Sequence, residues 1–371
     1  MIYLDHCATT PMSAKALDTY TKTAQSFYGN EQSLHDDGEA ASQLLQHCRA
    51  KLTTIIHGKS EGIYFTSGGS DSNITALLSL AYGNEDYGKH IITSPLEHPS
   101  VYQALNRLNQ EGFSVSEVKV KSNGEVCLDS LQQLLRDDTI LVTITHASSE
   151  TGVIQPLKDI GRILEGKNVV FHSDTVQTFA KVPIDITSYQ LDAISISAHK
   201  LNGPKNCGAC YIAPGTNWKG LYSGVTHQQG WKPGTIDIPG VTAFTEAALA
   251  FHEHHAETTA YWKRMQQWML TNLSDDVFSL FGDIDNRLPH HLALRAKGKE
   301  GQWIMLECNR NGIAISSGSA CKSSDSSPPK SLIAMGHTAE AAHGLFRISF
   351  GKDTTYRELE KTVEVLHRIT A

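Results

Sequence analysis

Short apolar runs recur along the chain, each followed by a polar turn and then by an amphipathic stretch. The segments GIYFTSGGSDSNITALLSLA (62–81), HIITSPLEHPSVYQALNRL (90–108), TILVTITHASSETG (139–152), NVVFHSDTVQTF (168–179) and LDAISISAHKLNGPK (191–205) all follow this rule. Strands alternating with helices predict an α/β fold with a mainly parallel sheet covered on both faces. After about residue 250 the pattern changes. One long helix is expected over 246–273, followed by HHLALRA (290–296), a loop that carries Cys321, the run FRISFG and a final amphipathic helix over 355–369. This reads as a large domain over 12–250 and a smaller α+β domain made of 1–11 and 251–371, with the cysteine loop at 314–330.

In parallel sheets, ligands bind beyond the carboxyl ends of the strands. The residues just past the apolar runs are Thr66 to Ser70, Glu97 and His98, His146 to Glu150, Asp174 with Gln177, and Ser197 to Lys200, and they are expected to converge on one sheet edge. The turn FTSGGSDSN offers backbone amides and hydroxyls at a helix start, which suits an anion. It is not a nucleotide-binding P-loop, because no Gly-Lys-Ser/Thr follows. Lys200 precedes a Gly203-Pro204 turn that keeps it at the strand end, where a lowered pKa would make its amine nucleophilic.

A lysine amine, the carboxylate of Asp174 and an anion site are the three things a pyridoxal phosphate needs: a partner for its aldehyde, one for its ring nitrogen and one for its phosphate. In this reading His98 stacks on the ring and moves protons, or else is a hydrogen-bonded core histidine. Gln177 is placed to meet the ring hydroxyl. Arg347, inside the apolar run LFRISFG, either grips a substrate carboxylate with its fork or makes an internal salt bridge.

Composition narrows the picture. The chain has 371 residues, a formal charge of −7 and no clustering of its lysines and arginines, which excludes a nucleic-acid footprint. No signal peptide and no run near the ~18 apolar residues of a membrane span is present, so a cytoplasmic protein without membrane contact is expected. The seven cysteines show no disulfide framework spacing. Cys207 and Cys210 form a C-x-x-C without a second ligand pair, and the HEHH at 252–255 is too crowded for a zinc pair, so buried thiols, a solvated face and no metal site are expected. Cys321, within AISSGSACKSSDSSPPK (314–330), has few apolar neighbours in sequence and is an accident or a nucleophile.

The motifs YLDHCATTP, TSGGSDSN, EHPS, HSDTVQ, SAHKLNGPK, SSGSAC and RISFG, in this order, resemble those of the NifS/IscS-type cysteine desulfurases, class V aminotransferases with the aspartate-aminotransferase fold. The resemblance runs from Tyr3 to the last helix. It implies pyridoxal 5'-phosphate as cofactor, Lys200 as the amine joined to its aldehyde, Asp174 at the ring nitrogen, Gln177 at the ring oxygen and His98 stacked on the ring as acid–base group. Gly69, Ser70, Ser197 and His199 correspond to phosphate-binding positions. Thr235 corresponds to a threonine that reaches the phosphate of the neighbouring subunit, which implies a homodimer. Arg347 corresponds to the arginine that binds the carboxylate of L-cysteine, and Cys321 to the thiol that takes the sulfur and leaves alanine and an enzyme persulfide.

The implied partner is a sulfur-acceptor protein, an iron–sulfur scaffold or a client apoprotein. Four features depart from the family pattern, among them SGVTHQQG (223–230) in place of a Gly-Gly-Gly-Gln-Glu stretch and Glu31 in place of a proline after Asn30. Paired asparagines are replaced by Ser148 and Ser149, with Ser149 expected at the substrate, and the chain ends at Ala371 without the longer tail of housekeeping members. The latter suggests a dedicated client, quinolinate synthase being a family precedent. The alternatives are a selenocysteine lyase, a class V aminotransferase that needs no thiol, and a non-catalytic sulfur scaffold.

Overall fold

The computed structural model describes residues 1–318 and 327–371; Cys321 lies outside the described residues. After the short strand β1 (Ile2–Tyr3) come β2 (Ile63–Thr66), β3 (His90–Thr93), β4 (Ser114–Glu117), β5 (Thr139–Thr143), β6 (Val170–Asp174), β7 (Ala193–Ser197) and β8 (Gly208–Ile212). Strands β2 to β8 form one sheet in the order β2-β8-β7-β6-β5-β3-β4. Only β8 runs against its neighbours, pairing antiparallel with both β2 and β7. The carboxyl ends of β2, β3, β5, β6 and β7 therefore open on one edge, as the alternation of segments predicts.

The two-residue period of each strand divides its side chains between two cores. Tyr64, Ile91, Ala193 and Ile212 face the cluster under the helices Gly69–Asn84 and Pro99–Gln110. Their neighbours Phe65, Ile92, Ile194 and Tyr211 face the larger cluster, which also takes in residues of the Asp36–Thr54 and Ile238–Glu253 helices. Buried polar residues interrupt these apolar strands, and the two buried histidines among them are fully hydrogen-bonded. His172 bonds Thr143 at 2.9 Å and Ser195 at 3.0 Å, stitching β5 and β7 to β6. His90 does the same on β3, with Thr139 at 2.8 Å and Ser116 at 2.9 Å.

The second sheet is built from β9 (Phe278–Leu280), β10 (His291–Ala296), β12 (Ser316–Ser317) and β13 (Leu345–Ser349), while β1 pairs in parallel with β11 (Ile313–Ala314). The N-terminal strand thus joins the C-terminal part of the chain, and the segment after it crosses back to the large sheet. Thr10 receives the Asn202 amide at 2.8 Å, and its own amide and hydroxyl both reach the His199 carbonyl. The helix expected over 246–273 is two helices, Ile238–Glu253 and His255–Asn272, because His254 leaves helical geometry at φ −103° and ψ 14°. No glycine or proline marks that break in the sequence. Cys207 and Cys210 are buried thiols at the start of and within β8, and burial pushes both thiols up.

Candidate active site

Strand β6 ends on Asp174, which is 5% exposed. Its Oδ1 accepts the Val176 amide at 2.9 Å and its Oδ2 accepts Asn73 Nδ2 at 2.7 Å. Strand β7 ends on Ser197 and continues as a 3-10 turn, Ala198–Lys200, that delivers Lys200 beside the same edge. Lys200 Nζ donates to the carbonyl oxygens of Cys7 and Ala8, both at 2.6 Å. Burial lowers its pKa to about 8, with the Arg347 guanidinium adding to the effect while the Cys7 thiol, Asp5 and Asp174 oppose it.

Gln177 sits one turn past Asp174; its Nε2 donates to the Cys7 carbonyl at 3.0 Å and its Oε1, buried, has no partner. The helix Gly69–Asn84 starts at the same edge, so its first amides lack intrahelical acceptors. Ser197 Oγ is buried, has no partner, and stands 3.8 Å from where a Cβ on Gly68 would be. Gly68 has φ +134°, a backbone shape that glycine adopts freely. A donor-rich helix start beside an unpartnered hydroxyl is a cradle for a dianion.

His98 caps the helix Pro99–Gln110, with Nδ1 accepting the Ser100 amide at 3.2 Å and lying 2.8 Å from Ser100 Oγ. The loop that carries it is tied to β5 by Glu97, whose Oε1 accepts Ser94 Oγ at 2.6 Å and the Thr145 amide at 2.8 Å. Burial pushes the Glu97 carboxyl up to about 8. His98 itself is exposed, and the cleft around it lowers its pKa through desolvation and the Lys200 charge, while Asp174 pulls the other way.

Arg347, on β13 and 6% exposed, comes from the second sheet to the same edge. Its Nη1 donates to the Ser149 carbonyl at 2.8 Å, its Nη2 donates to Ser316 Oγ at 2.8 Å, and Nη2 lies 3.6 Å from Asp5 Oδ1. Its Nε has no partner. Both sequence readings therefore have a counterpart: an internal ion pair with Asp5, and the N–H groups at Nε and Nη1 that these contacts leave uncommitted.

The structure brings Lys200, Asp174, Gln177, Ser197 and His98 together. His199 lies alongside, its Nδ1 3.0 Å from Thr9 Oγ1 and its pKa lowered to about 4 by burial and the neighbouring lysines. Ser149 is present through its carbonyl rather than its hydroxyl. Ser70 and Thr235 are exposed, and neither is joined to the cluster by a hydrogen bond of its side chain. His146, on the same edge, is a core residue bonded to Thr178 at 2.9 Å. Sequence reasoning did not single out Asn73, Ser100 or Asp5, or the carbonyls of Cys7 and Ala8. Asn73 and Ser100 are the last residues of the motifs TSGGSDSN and EHPS, which is the signal that could have found them.

A lysine amine, a buried carboxylate, an unpartnered amide oxygen and a donor-rich helix start stand at one parallel-sheet edge, and these are the groups that pyridoxal phosphate needs. The Aminotransferase class-V family profile matches residues 2–362, and the chain belongs to that family. It is similar to the putative cysteine desulfurase NifS of Halalkalibacterium halodurans, 41% identical over all of this chain and 98% of that protein. It is 34% identical to the cysteine desulfurase IscS of Dictyoglomus turgidum over 99% of this chain and 94% of that one. A solved structure described as a NifS-like protein superposes with a TM-score of 0.93, 29% identity, and coverage of 99% and 98% of the two chains. Within the class V family the chain is a member of the NifS/IscS cysteine desulfurases, which depend on pyridoxal phosphate.

Proposed function

We propose that the cluster around Lys200 desulfurates L-cysteine and that Cys321 takes the sulfur as a persulfide, leaving alanine. The observation that carries this reading is a lysine amine with a pKa of about 8 at the end of β7, beside a buried carboxylate at the end of β6 and an unpartnered hydroxyl at a helix start. Bound pyridoxal phosphate supplies an aldehyde for amines and a ring that withdraws electrons from the bonds at the substrate α-carbon.

The chain's own residues do the rest. Lys200 would hold the aldehyde through Nζ and, as a free amine, would take up and carry a proton there. Asp174 would hold a proton on the ring nitrogen, and Gln177 Oε1 would meet the ring oxygen. The amides of Gly69 and Ser70, with Ser197 Oγ and His199, hold the phosphate. The Arg347 guanidinium keeps Nε–H and a second Nη1 hydrogen for the substrate carboxylate, and Ser149 orients it through its carbonyl. His98 is the acid–base group over the ring.

The exposure of Thr235 supports its service to the phosphate of a second copy, and with it a homodimer. The chain divides into a cofactor-binding unit, 12–250, and a second unit, 1–11 with 251–371, so that the substrate-carboxylate arginine comes from the unit that also carries Cys321. The sulfur then passes to an acceptor protein of iron–sulfur assembly, a scaffold or a client apoprotein. Among the described residues no helix is long and apolar enough to cross a membrane.

The test is incubation of the loaded enzyme with L-cysteine, with alanine measured in solution and added sulfur sought on Cys321 by mass. Alanine with one extra sulfur on Cys321 supports the reading. Alanine with no sulfur there assigns the nucleophile elsewhere, and no alanine defeats the reading as a whole.

A further inference from the structure

Four side chains form an unbroken line of hydrogen bonds across the site. Asn73 Nδ2 donates one hydrogen to Asp174 Oδ2 at 2.7 Å and the other to Ser100 Oγ at 3.0 Å. Ser100 Oγ lies 2.8 Å from His98 Nδ1. The donors and acceptors can be assigned along this line without ambiguity. The Asn73 amide cannot be turned over, because its oxygen would then face the Asp174 carboxylate; Asn73 Oδ1 is instead the atom left buried without a partner. Both amide hydrogens are thereby committed, and Ser100 Oγ accepts one of them.

The Ser100 hydroxyl keeps its own hydrogen for His98 Nδ1. The backbone amide of Ser100 also points at Nδ1, at 3.2 Å, as the cap of the helix Pro99–Gln110. The hydroxyl can rotate, but the backbone amide cannot, and an N–H at Nδ1 would face it; Nδ1 is therefore an acceptor and the ring hydrogen of neutral His98 is on Nε2. Among the described residues Nε2 has no hydrogen-bond partner, and His98 is exposed.

We propose that Asn73 and Ser100 are positioning residues that fix neutral His98 as its Nε2–H tautomer, so that it presents a proton and not a lone pair to the reacting atoms. The proposal rests on the reading of His98 as the acid–base group. It adds that the resting histidine is a donor, that acceptance of a proton at the substrate α-carbon falls to the Lys200 amine, and that the tautomer is tied to the ring-nitrogen carboxylate through Asn73. Neither Asn73 nor Ser100 touches the substrate in this scheme.

The test uses the cofactor-loaded enzyme with nitrogen-15-labelled histidine, the His98 signals being identified by their loss in His98→Gln. Unprotonated Nδ1 and protonated Nε2 are expected in the resting enzyme, and a protonated Nδ1 overturns the proposal. In Ser100→Ala the Nδ1 signal moves toward that of a lone pair without a hydroxyl donor, kcat falls about tenfold and KM for L-cysteine stays within about twofold, one neutral hydrogen bond being at stake. Ser100→Thr restores both the signal and kcat. Asn73→Ala, which leaves the Ser100 backbone untouched, shifts the same His98 signal through Ser100. Unchanged kcat and unchanged signals in Ser100→Ala, or no recovery in Ser100→Thr, overturn the proposal. Full activity in His98→Gln is a different result, which defeats the assignment of His98 itself.

Discussion

Lys200 Nζ donates a 2.6 Å hydrogen bond to the carbonyl oxygen of Cys7, a residue 193 positions earlier in the chain. The N-terminal segment therefore reaches into the site, and it does so with backbone carbonyls, which favour the charged amine. Burial works against them, and the balance leaves the pKa at about 8 rather than 10.5. Only the neutral amine attacks an aldehyde.

Loading of the apoenzyme with pyridoxal phosphate should accordingly accelerate by about tenfold per pH unit below pH 8 and level off above it, where an ordinary lysine would still be accelerating. Stopped-flow absorbance of the bound cofactor between pH 6.5 and 9.5 measures this, with Lys200→Ala as the blank. A rate that keeps climbing past pH 9 would mean that the amine is not desolvated as described.

Acid should unfold the protein through its buried histidines. Burial lowers the pKa of His146 and His172 to about 3 and of His6 and His199 to about 4. In the unfolded chain these rings titrate near 6.5, so below that pH the unfolded state binds more protons than the folded one. Their contribution is intact above about pH 6.5 and is lost as pH falls toward 4, at about 1.4 kcal/mol per pH unit for each histidine. Glu97 acts in the other direction: with its carboxyl pushed up to about 8, its stabilisation is intact below the usual 4.5 and is lost as pH rises through 8. One carboxyl cannot offset four histidines, so the urea midpoint of the apoenzyme should fall steeply between pH 7 and pH 5. A midpoint that is flat or rises on acidification would contradict the neutral, hydrogen-bonded state of these rings.

Strand-end position is what made Lys200, Asp174 and Gln177 legible from sequence, because the alternation of apolar runs and polar turns sets which residues leave each strand on the ligand side. The partners of those residues were not legible in the same way. Asn73 meets Asp174 across 101 residues and the Cys7 carbonyl meets Lys200 across 193, so each contact depends on how two distant segments pack. A backbone carbonyl also has no residue type to give it away, which hid the roles of Cys7, Ala8 and Ser149. The break at His254 escaped notice because the residues on either side keep a helical pattern while packing on different parts of the core.

Arg347→Lys should raise KM for L-cysteine. The guanidinium already spends one Nη1 hydrogen on the Ser149 carbonyl and Nη2 on Ser316 and the Asp5 carboxylate, which leaves the second Nη1 hydrogen and Nε–H to meet a substrate carboxylate. Lysine has one nitrogen and no fork, so it cannot hold these partners and a substrate together. A charge-assisted hydrogen bond lost at this position corresponds to about 10- to 100-fold in KM, with kcat affected less. Steady-state alanine formation separates the two parameters. If Arg347 serves Asp5 alone, the variant loses stability while KM stays where it was.

The last prediction concerns a methyl group. A Cβ on Gly69 would stand 2.6 Å from Val176 Cγ2, so either the stiff χ1 of this β-branched residue or the backbone must move. The Val176 amide is the donor that anchors Asp174 Oδ1 at 2.9 Å, so the strain would reach the carboxylate as well as the helix start. Gly69→Ala should weaken pyridoxal phosphate binding by about 5- to 100-fold, the range expected for overpacking by one carbon. Ser197→Ala removes a hydroxyl from the same cradle without adding volume, and should weaken binding by about fivefold with Asp174 undisturbed. The two variants are told apart by the activity that remains at saturating cofactor: Ser197→Ala recovers fully, whereas Gly69→Ala stays slow because its carboxylate has been displaced. Equal recovery in both would show that the contact at Val176 relaxes without moving Asp174.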